Sequence, residues 1–237
     1  MRKGTLYLVP VSIGESRPGA ILPAEVLRIA RGLRYFVVEN AKSARAELKR
    51  IGVEHPLQEI DIRELPREPK QADLDALLAP LAAGESAGLM SEAGAPAVAD
   101  PGALLVRAAH ARNIHVAPLV GPSSLLLALM ASGLNGQNFA FHGYLPMREP
   151  ERSKRITELE RESRREERTQ IFIETPYRNA SLFSALMSYC RPDTLLCVAT
   201  ELTTQRECIS TMPVLAWRAC PPPSIEKKPT VFLLLAG

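Results

Sequence analysis

The 237-residue chain has no apolar run near the roughly 18 consecutive residues that a membrane-spanning helix requires. Its first residues, Met1-Arg2-Lys3-Gly4, lead straight into Thr5-Leu6-Tyr7-Leu8-Val9, which is too short for a signal-peptide core and lacks a cleavage site. These two absences predict a soluble, cytoplasmic protein with no membrane partner. Cysteine is sparse: Cys190, Cys197, Cys208 and Cys220 lie at spacings that match no common zinc pattern, so free, mostly buried thiols and no metal are expected. His55, His110, His115 and His142 are scattered. Where a dinucleotide-binding protein carries Gly-x-Gly-x-x-Gly, this chain has Pro10-Val11-Ser12-Ile13-Gly14-Glu15, which counts against NAD or FAD. One-sided charge is missing too: 29 basic against 26 acidic residues leave a net charge of +3, so the total does not point to a polyanionic partner.

What is present is a core and an alternation. Apolar residues make up 46% of the chain, enough for one large or two ordinary domains. The stretch Leu89-Met90-Ser91-Glu92-Ala93-Gly94-Ala95-Pro96-Ala97-Val98-Ala99-Asp100-Pro101-Gly102 reads as a strand, a tight small-residue loop and the start of a helix over Ala103 to Ala109. Small side chains let a backbone approach a ligand, and a helix start offers free N–H groups; packing alone explains the same composition equally well. Before it come a strand over Thr5 to Val9, a helix over Ala24 to Arg31 begun by Pro23 and closed by Gly32, a strand over Arg34 to Val38, and a helix over Ala44 to Ile51. A charged, Pro-rich connection over Ile60 to Gln71 precedes a helix over Asp73 to Ala83, which Pro80 kinks or ends early. After it come a strand over Ile114 to Val120, the turn Gly121-Pro122-Ser123-Ser124 and an apolar helix over Leu125 to Ser132, expected to be buried on most sides.

The second half repeats the pattern, with strands over Phe139 to His142, Thr169 to Ile173, Thr194 to Ala199 and Thr230 to Leu235, and a helix over Asn179 to Tyr189. Arg148 to Arg168 is a dense charge block of eight bases and seven acids, read as a solvated helix, with Arg152, Lys154 and Arg155 in its first turns as the alternative nucleic-acid contact. The expected fold class is α/β, as two consecutive α/β domains, 1–117 and 118–237, with a cleft between them as the default site. Polar clusters mark the strand ends: Glu39-Asn40-Ala41-Lys42, Glu174-Thr175-Pro176-Tyr177-Arg178 and Thr200-Glu201-Leu202-Thr203-Thr204. Glu39 either faces a site or caps a helix start.

Thr5-Leu6-Tyr7-Leu8-Val9-Pro10 with Ile13-Gly14, Ser91-Glu92-Ala93-Gly94-Ala95-Pro96 with Ala99-Asp100-Pro101-Gly102, Gly121-Pro122-Ser123, Phe141-His142-Gly143-Tyr144-Leu145-Pro146 and Glu201-Leu202-Thr203 occur in this order. In that order the chain resembles, over nearly its whole length, the small-subunit ribosomal RNA ribose 2′-O-methyltransferases of the tetrapyrrole methylase superfamily, the class III S-adenosylmethionine (SAM) enzymes. The resemblance implies a two-domain α/β fold with SAM bent into the cleft, a homodimer, and ribosomal RNA or the small ribosomal subunit as partner. It implies cofactor contacts at Pro10, Ala95, Val98, Ser123, Ser124, Ile173, Glu174, Ala199 and Thr230. The reaction implied is displacement at the sulfonium methyl carbon by a ribose oxygen, helped by a base or a cation. Candidates for that role are Glu39, Lys42, Glu174, Arg178 and Glu201, with no one of them singled out as the base. Arg152, Lys154, Arg155 and Lys42 are candidate phosphate contacts, Tyr177 a candidate base-stacking platform, and Arg178 a further substrate contact.

The chain departs from that group at Glu39-Asn40-Ala41-Lys42, where Glu-Asp-Thr-Arg is usual, and at Lys227-Lys228-Pro229, where Lys-Gly-Glu is usual. Glu92 and Ala95 stand where Asp and Thr are usual. The cofactor side keeps its pattern while the acceptor side has drifted. A methyltransferase of the same fold acting on a small molecule such as a tetrapyrrole, and a SAM-binding protein without catalysis, are the alternatives.

Overall fold

Tyr35-Phe36-Val37-Val38 is apolar without interruption, and all four side chains are buried. That pattern belongs to a parallel strand covered on both faces. In the computed structural model, which describes residues 2–237, it is β2 (Tyr35–Val38) of a five-stranded sheet. The other strands are β1 (Thr5–Leu8), β3 (Asp61–Glu64), β4 (Ala87–Met90) and β5 (His115–Pro118), in the order β3-β2-β4-β1-β5. All four pairings are parallel. The helices between them are α1 (Pro18–Ile21), α2 (Ala24–Gly32), α3 (Ala41–Ile51), α4 (Gln71–Ala82) and α5 (Gly102–Ala111). Side chains alternate across the sheet as a period of two demands. Tyr35 and Val37 join Leu74, Leu78 and Leu105 of α4 and α5, whereas Phe36 and Val38 join Leu27 and Leu48 of α2 and α3. The chain therefore leaves β1 over one face and β4 over the other. These two strands are neighbours, and the point between them is a topological switch, where ligands of open α/β sheets bind at the carboxyl ends.

The second unit begins at Ser124, where the packing divides. It holds α6 (Ser124–Ser132), β6 (Phe139–Tyr144), α7 (Glu151–Glu166), β7 (Thr169–Ile173), α8 (Asn179–Tyr189), β8 (Leu195–Thr200), β9 (Cys208–Pro213), α9 (Val214–Ala219) and β10 (Thr230–Leu235). Its sheet runs β6-β7-β10-β8-β9, with β6 parallel to β7 and the other pairs antiparallel. Phe172, Val198 and Phe232 face α7, α8 and α9; Ile171, Ala199 and Val231 face α6. Division after Ser123 rather than after residue 117 follows from β5 pairing with β1 through Pro118 and from the Leu119 N–H donating to the Leu8 carbonyl.

Several expectations are corrected. The Ile60 to Gln71 segment contains β3, whose charged residues suit an edge strand bonded only to β2. Pro80 does not end α4 early. It sits within the last turn, and the Ala76 carbonyl that loses its usual helical donor has Arg63 Nη1 at 3.4 Å. Pro23 precedes α2 and Gly32 is its last residue. The helix α6 is not buried on most sides: Leu126 and Met130, one turn apart, are 51% and 79% exposed. The charged α7 is solvated on one side only, since Ile156, Leu159 and Glu160 are buried. β9 and α9 had no counterpart in the sequence reading.

Candidate functional site

Three loops of the first unit meet at the carboxyl ends of β1, β4 and β5. Val11 and Gly94 form a two-hydrogen-bond bridge of 2.9 and 3.0 Å between the first two loops. Gly94 has φ +71°, and a Cβ there would lie 3.5 Å from the Pro122 carbonyl oxygen of the third loop. The third loop closes on the first even more tightly. A Cβ at Gly121 would lie 2.3 Å from Pro10 Cβ and Cγ, so only glycine fits beside that ring.

The central loop is held in an uncommon conformation. Ala97 and Ala99 have φ of +67° and +64°, a left-handed geometry that costs a residue with a Cβ. Asp100 holds both ends of the turn: its carboxylate accepts the Ala97 N–H at 2.9 Å and the Gly102 N–H, at the start of α5, at 2.6 Å. Burial raises the Asp100 pKa above its ordinary value, against the opposing pull of those two N–H donors. Val98, between the two strained alanines, is 48% exposed. Sequence reasoning missed this role of Asp100. Its signal was an Asp just before Pro-Gly at a helix start, a common turn-forming arrangement.

Glu39, at the carboxyl end of β2, accepts the Glu92 N–H at 3.1 Å and so joins its strand end to the same loop. Helix capping belongs instead to Asn40, whose Oδ1 accepts from the N–H groups of Lys42 (2.9 Å) and Ser43 (3.1 Å). Asn caps as well as Asp, so this departure keeps the helix start intact. Lys42 is exposed on the first turn of α3. Pro10, Ala95, Val98 and Ser123 of the expected cofactor set thus lie on loops that the unit brings together, with Glu39 beside them.

The second unit gathers its candidates differently. β10 lies antiparallel between β7 and β8, which puts its first residues beside their last: Thr230 opposite Thr200, and Val231 opposite Ile173 and Ala199. Ile173, Glu174, Ala199, Glu201 and Thr230 therefore share one end of the sheet, while Ser124 opens α6. Glu174 is buried, and its Oε1 accepts from the Thr175 N–H (2.6 Å) and from Arg178 Nε (3.0 Å) and Nη2 (2.6 Å). Glu201 has φ +50°, with Arg206 Nε at 3.1 Å and Lys228 Nζ at 3.4 Å from its two oxygens. Arg206 and Lys228 were not foreseen as its partners.

The cations of α7 are mostly engaged within the unit. Arg152 reaches Glu149 (3.1 Å) and Ser181 Oγ (2.9 Å). Arg155 lies 3.5 Å from both Glu158 and Glu162, and its Nη2 donates to His142 Nδ1 at 3.2 Å. The His142 Nε2–H then donates to Gln170 Oε1 at 2.6 Å. Burial lowers the His142 pKa below its ordinary 6.5; the Gln170 hydrogen bond opposes this and the Arg155 charge adds to it. Lys154 stays exposed, as does Tyr177 at 78%. Cys190 and Cys197 are buried, whereas Cys208 and Cys220 are exposed, which corrects the expectation of mostly buried thiols. Among the described residues no group of three or more His, Cys, Asp or Glu side chains is arranged to hold a metal, and no helix is long and apolar enough to cross a membrane.

Comparison with known proteins agrees with this architecture. A family model described as Tetrapyrrole (Corrin/Porphyrin) Methylases matches residues 19–214. The Ribosomal RNA small subunit methyltransferase I of Xylella fastidiosa (strain Temecula1) is 36% identical over 200 residues, 84% of this chain and 69% of that protein. The protein of the same name from Escherichia coli O157:H7 is 30% identical over 218 residues, 91% of this chain and 72% of its own length. Among solved structures, the methyltransferase CobJ superposes with TM-score 0.65 at 18% identity, covering 99% of this chain and 95% of its own. Uroporphyrin-III-C-methyltransferase from Thermus thermophilus gives 0.56 at 18%, covering 99% and 93%. The two sheets, their strand-end loops and these matches have one conclusion: the chain belongs to the tetrapyrrole methylase family of methyltransferases.

Proposed function

We propose that the protein transfers a methyl group from SAM to a ribose 2′-hydroxyl of small-subunit ribosomal RNA. The observation that carries this reading is the 36% identity, over 84% of the chain, to a protein named for methylating that RNA. The residues fit the cofactor. The loops ending β1, β4 and β5 offer small side chains and backbone polar groups, with a glycine packed directly on Pro10, which suits a nucleoside approaching main chain. Bound SAM supplies a methyl group already activated by its sulfonium, so alignment carries much of the acceleration. Pro10, Ala95, Val98 and Ser123 of the first unit and Ser124, Ile173, Glu174, Ala199 and Thr230 of the second are assigned to it.

The acceptor side is assigned to Glu39 and Lys42. A carboxylate there accepts the hydroxyl proton and an ammonium stabilises developing oxyanion charge. Glu201, ion-paired on both oxygens, is better suited to positioning than to proton transfer. Because Arg152 and Arg155 have internal partners, phosphate contact falls to Lys154 and Lys42, with Tyr177 as the stacking surface. We further read the protein as a cytoplasmic homodimer, for which the outward Leu126 and Met130 of α6 supply apolar surface.

Small ribosomal subunits from a strain lacking the protein, incubated with purified enzyme and methyl-labelled SAM, are expected to gain one ribose methyl group detectable by nuclease digestion and mass spectrometry. Label recovered only in a small-molecule fraction would instead support a tetrapyrrole-like acceptor. Heat of SAM binding without methyl transfer to any fraction would support a non-catalytic binder. Sedimentation of Leu126→Lys/Met130→Lys as a monomer, against a dimeric parent, tests the assembly.

A further inference from the structure

Two cavities in the second unit lie on the face of the sheet opposite α6, away from Ile173, Ala199 and Val231. One, of about 440 Å³, is walled by Phe183 and Met187 of α8 and by the Pro-rich segment after α9. The other, of about 260 Å³, is bordered by Thr200, Ser210, Arg206 and Lys228. They share Trp217, Pro223 and Ile225 as lining, so a mostly apolar cavity, whose Arg218 is tied to the Met187 and Cys190 carbonyls, adjoins a cationic one. We propose that the two together form a groove that binds a small molecule with a flat apolar body and one anionic group.

The apolar end is rigid. Trp217 donates its indole N–H to the Leu196 carbonyl at 2.9 Å and meets the Phe183 ring edge-on, with centroids 5.5 Å apart and planes at 82°. A ring fixed by a hydrogen bond and an aromatic neighbour gives the cavity a fixed, largely buried wall against which a flat ligand can pack. Its volume falls in the range typical of small-molecule sites.

At the other end, Arg206 and Lys228 flank the single carboxylate of Glu201 at 3.1 and 3.4 Å, leaving one positive charge in excess. Lys228 also donates to Ser224 Oγ at 3.1 Å. The Arg206 side chain, ion-paired with Glu201 from Nε, is 70% exposed, so its guanidinium stays accessible to a ligand. Hydroxyls of Thr200, Ser210 and Ser224 border the same space, so an anion meets donors and net positive charge, whereas a cation is repelled. The exposed Cys220 and Cys208 line the apolar and cationic cavities respectively and serve as reporters.

Trp217 is the only tryptophan, so its emission reads the groove directly. The test titrates the full chain with anilinonaphthalene sulfonate, a flat apolar body bearing one sulfonate. The expected result is saturable binding of one dye per chain, quenching of Trp217 with energy transfer to the dye, and slower alkylation of Cys220 and Cys208 at saturation. Arg206→Gln is expected to weaken binding about fivefold by removing one charge-assisted contact. Ser184→Phe, on the exposed wall of the apolar cavity, abolishes energy transfer without touching any charge. Dye binding that leaves Trp217 unquenched, fails to saturate or is unchanged in both variants overturns the proposal.

Discussion

The two units reach a similar end, a cluster of loops at one edge of a five-stranded sheet, by different physical means. In the first unit every pairing is parallel, so the loops collect at the carboxyl ends by topology, and they are held by main chain: the Val11–Gly94 bridge, the Gly121 contact with Pro10 and the Asp100 turn. In the second, β10 runs antiparallel between β7 and β8, and the loops are held by ion-paired carboxylates, Glu174 with Arg178 and Glu201 with Arg206 and Lys228. A site built of backbone is sensitive to added volume. A site built of side-chain charge is sensitive to neutralisation.

That contrast orders the expected effects. Gly121→Ala puts a methyl group 2.3 Å from the Pro10 ring and has to push two loops apart. Misplacement on that scale is expected to lower methyl transfer by about 10²-fold, and overpacking to cost about 2 kcal/mol; both are read from initial rates and urea melts. Rates within twofold of the parent would mean that these loops do not build the site. Next is Glu39. Glu39→Ala removes the acceptor of the Glu92 N–H and is expected to slow transfer about 10²-fold. Glu39→Gln keeps an oxygen for that N–H, so full rescue by Gln assigns Glu39 to positioning the loop, and a loss equal to that of Ala assigns it to proton transfer.

How legible each unit was follows the same division. The first was readable because parallel strands buried on both faces are short apolar runs, as in Tyr35 to Val38, and because close backbone contact demands Gly, Ala and Pro. Polar edge strands escaped notice. β3 (Asp61–Glu64) and β9 (Cys208–Pro213) each bond to one neighbour, so no apolar alternation had to be written into them. The exposed face of α6 escaped for the opposite reason: Leu126 and Met130 read as core, and hydrophobicity alone carries no sign of which side meets solvent. At the site, strand-end positions such as Ile173 and Thr230 could be placed from order along the chain. The partners of the charges could not. That Arg155 turns to His142, or that Lys228 reaches Glu201 across an antiparallel pair, depends on side-chain directions that a charge count leaves open.

Smaller effects test the charged unit. Glu174 has a side chain only 3% exposed, against 34% for Arg178, so Glu174→Gln is expected to cost about 1–2 kcal/mol through a weakened charge-assisted network, measured by urea denaturation. The equivalent neutralisation in the first unit, at the exposed Lys42, is expected to leave stability unchanged within about 0.5 kcal/mol. Equal losses at both positions would erase the distinction between the units.

The smallest effect is a pH slope. His142 accepts from Arg155 at Nδ1 and donates to Gln170 from Nε2, an arrangement only the neutral ring can make. Its folded pKa lies below the ordinary 6.5, so between those two values the unfolded chain binds more protons than the folded one. Stability is therefore complete above about pH 6.5 and declines as pH falls toward the folded pKa. Calorimetric scans between pH 7.5 and 5.5 are expected to show an extra drop in Tm of about 1–2 °C relative to His142→Asn, which has nothing to titrate. Parallel curves for the two proteins would mean that the ring is accommodated as readily charged as neutral, and the Arg155–His142–Gln170 relay would then have no directional role in holding α7 against β6 and β7.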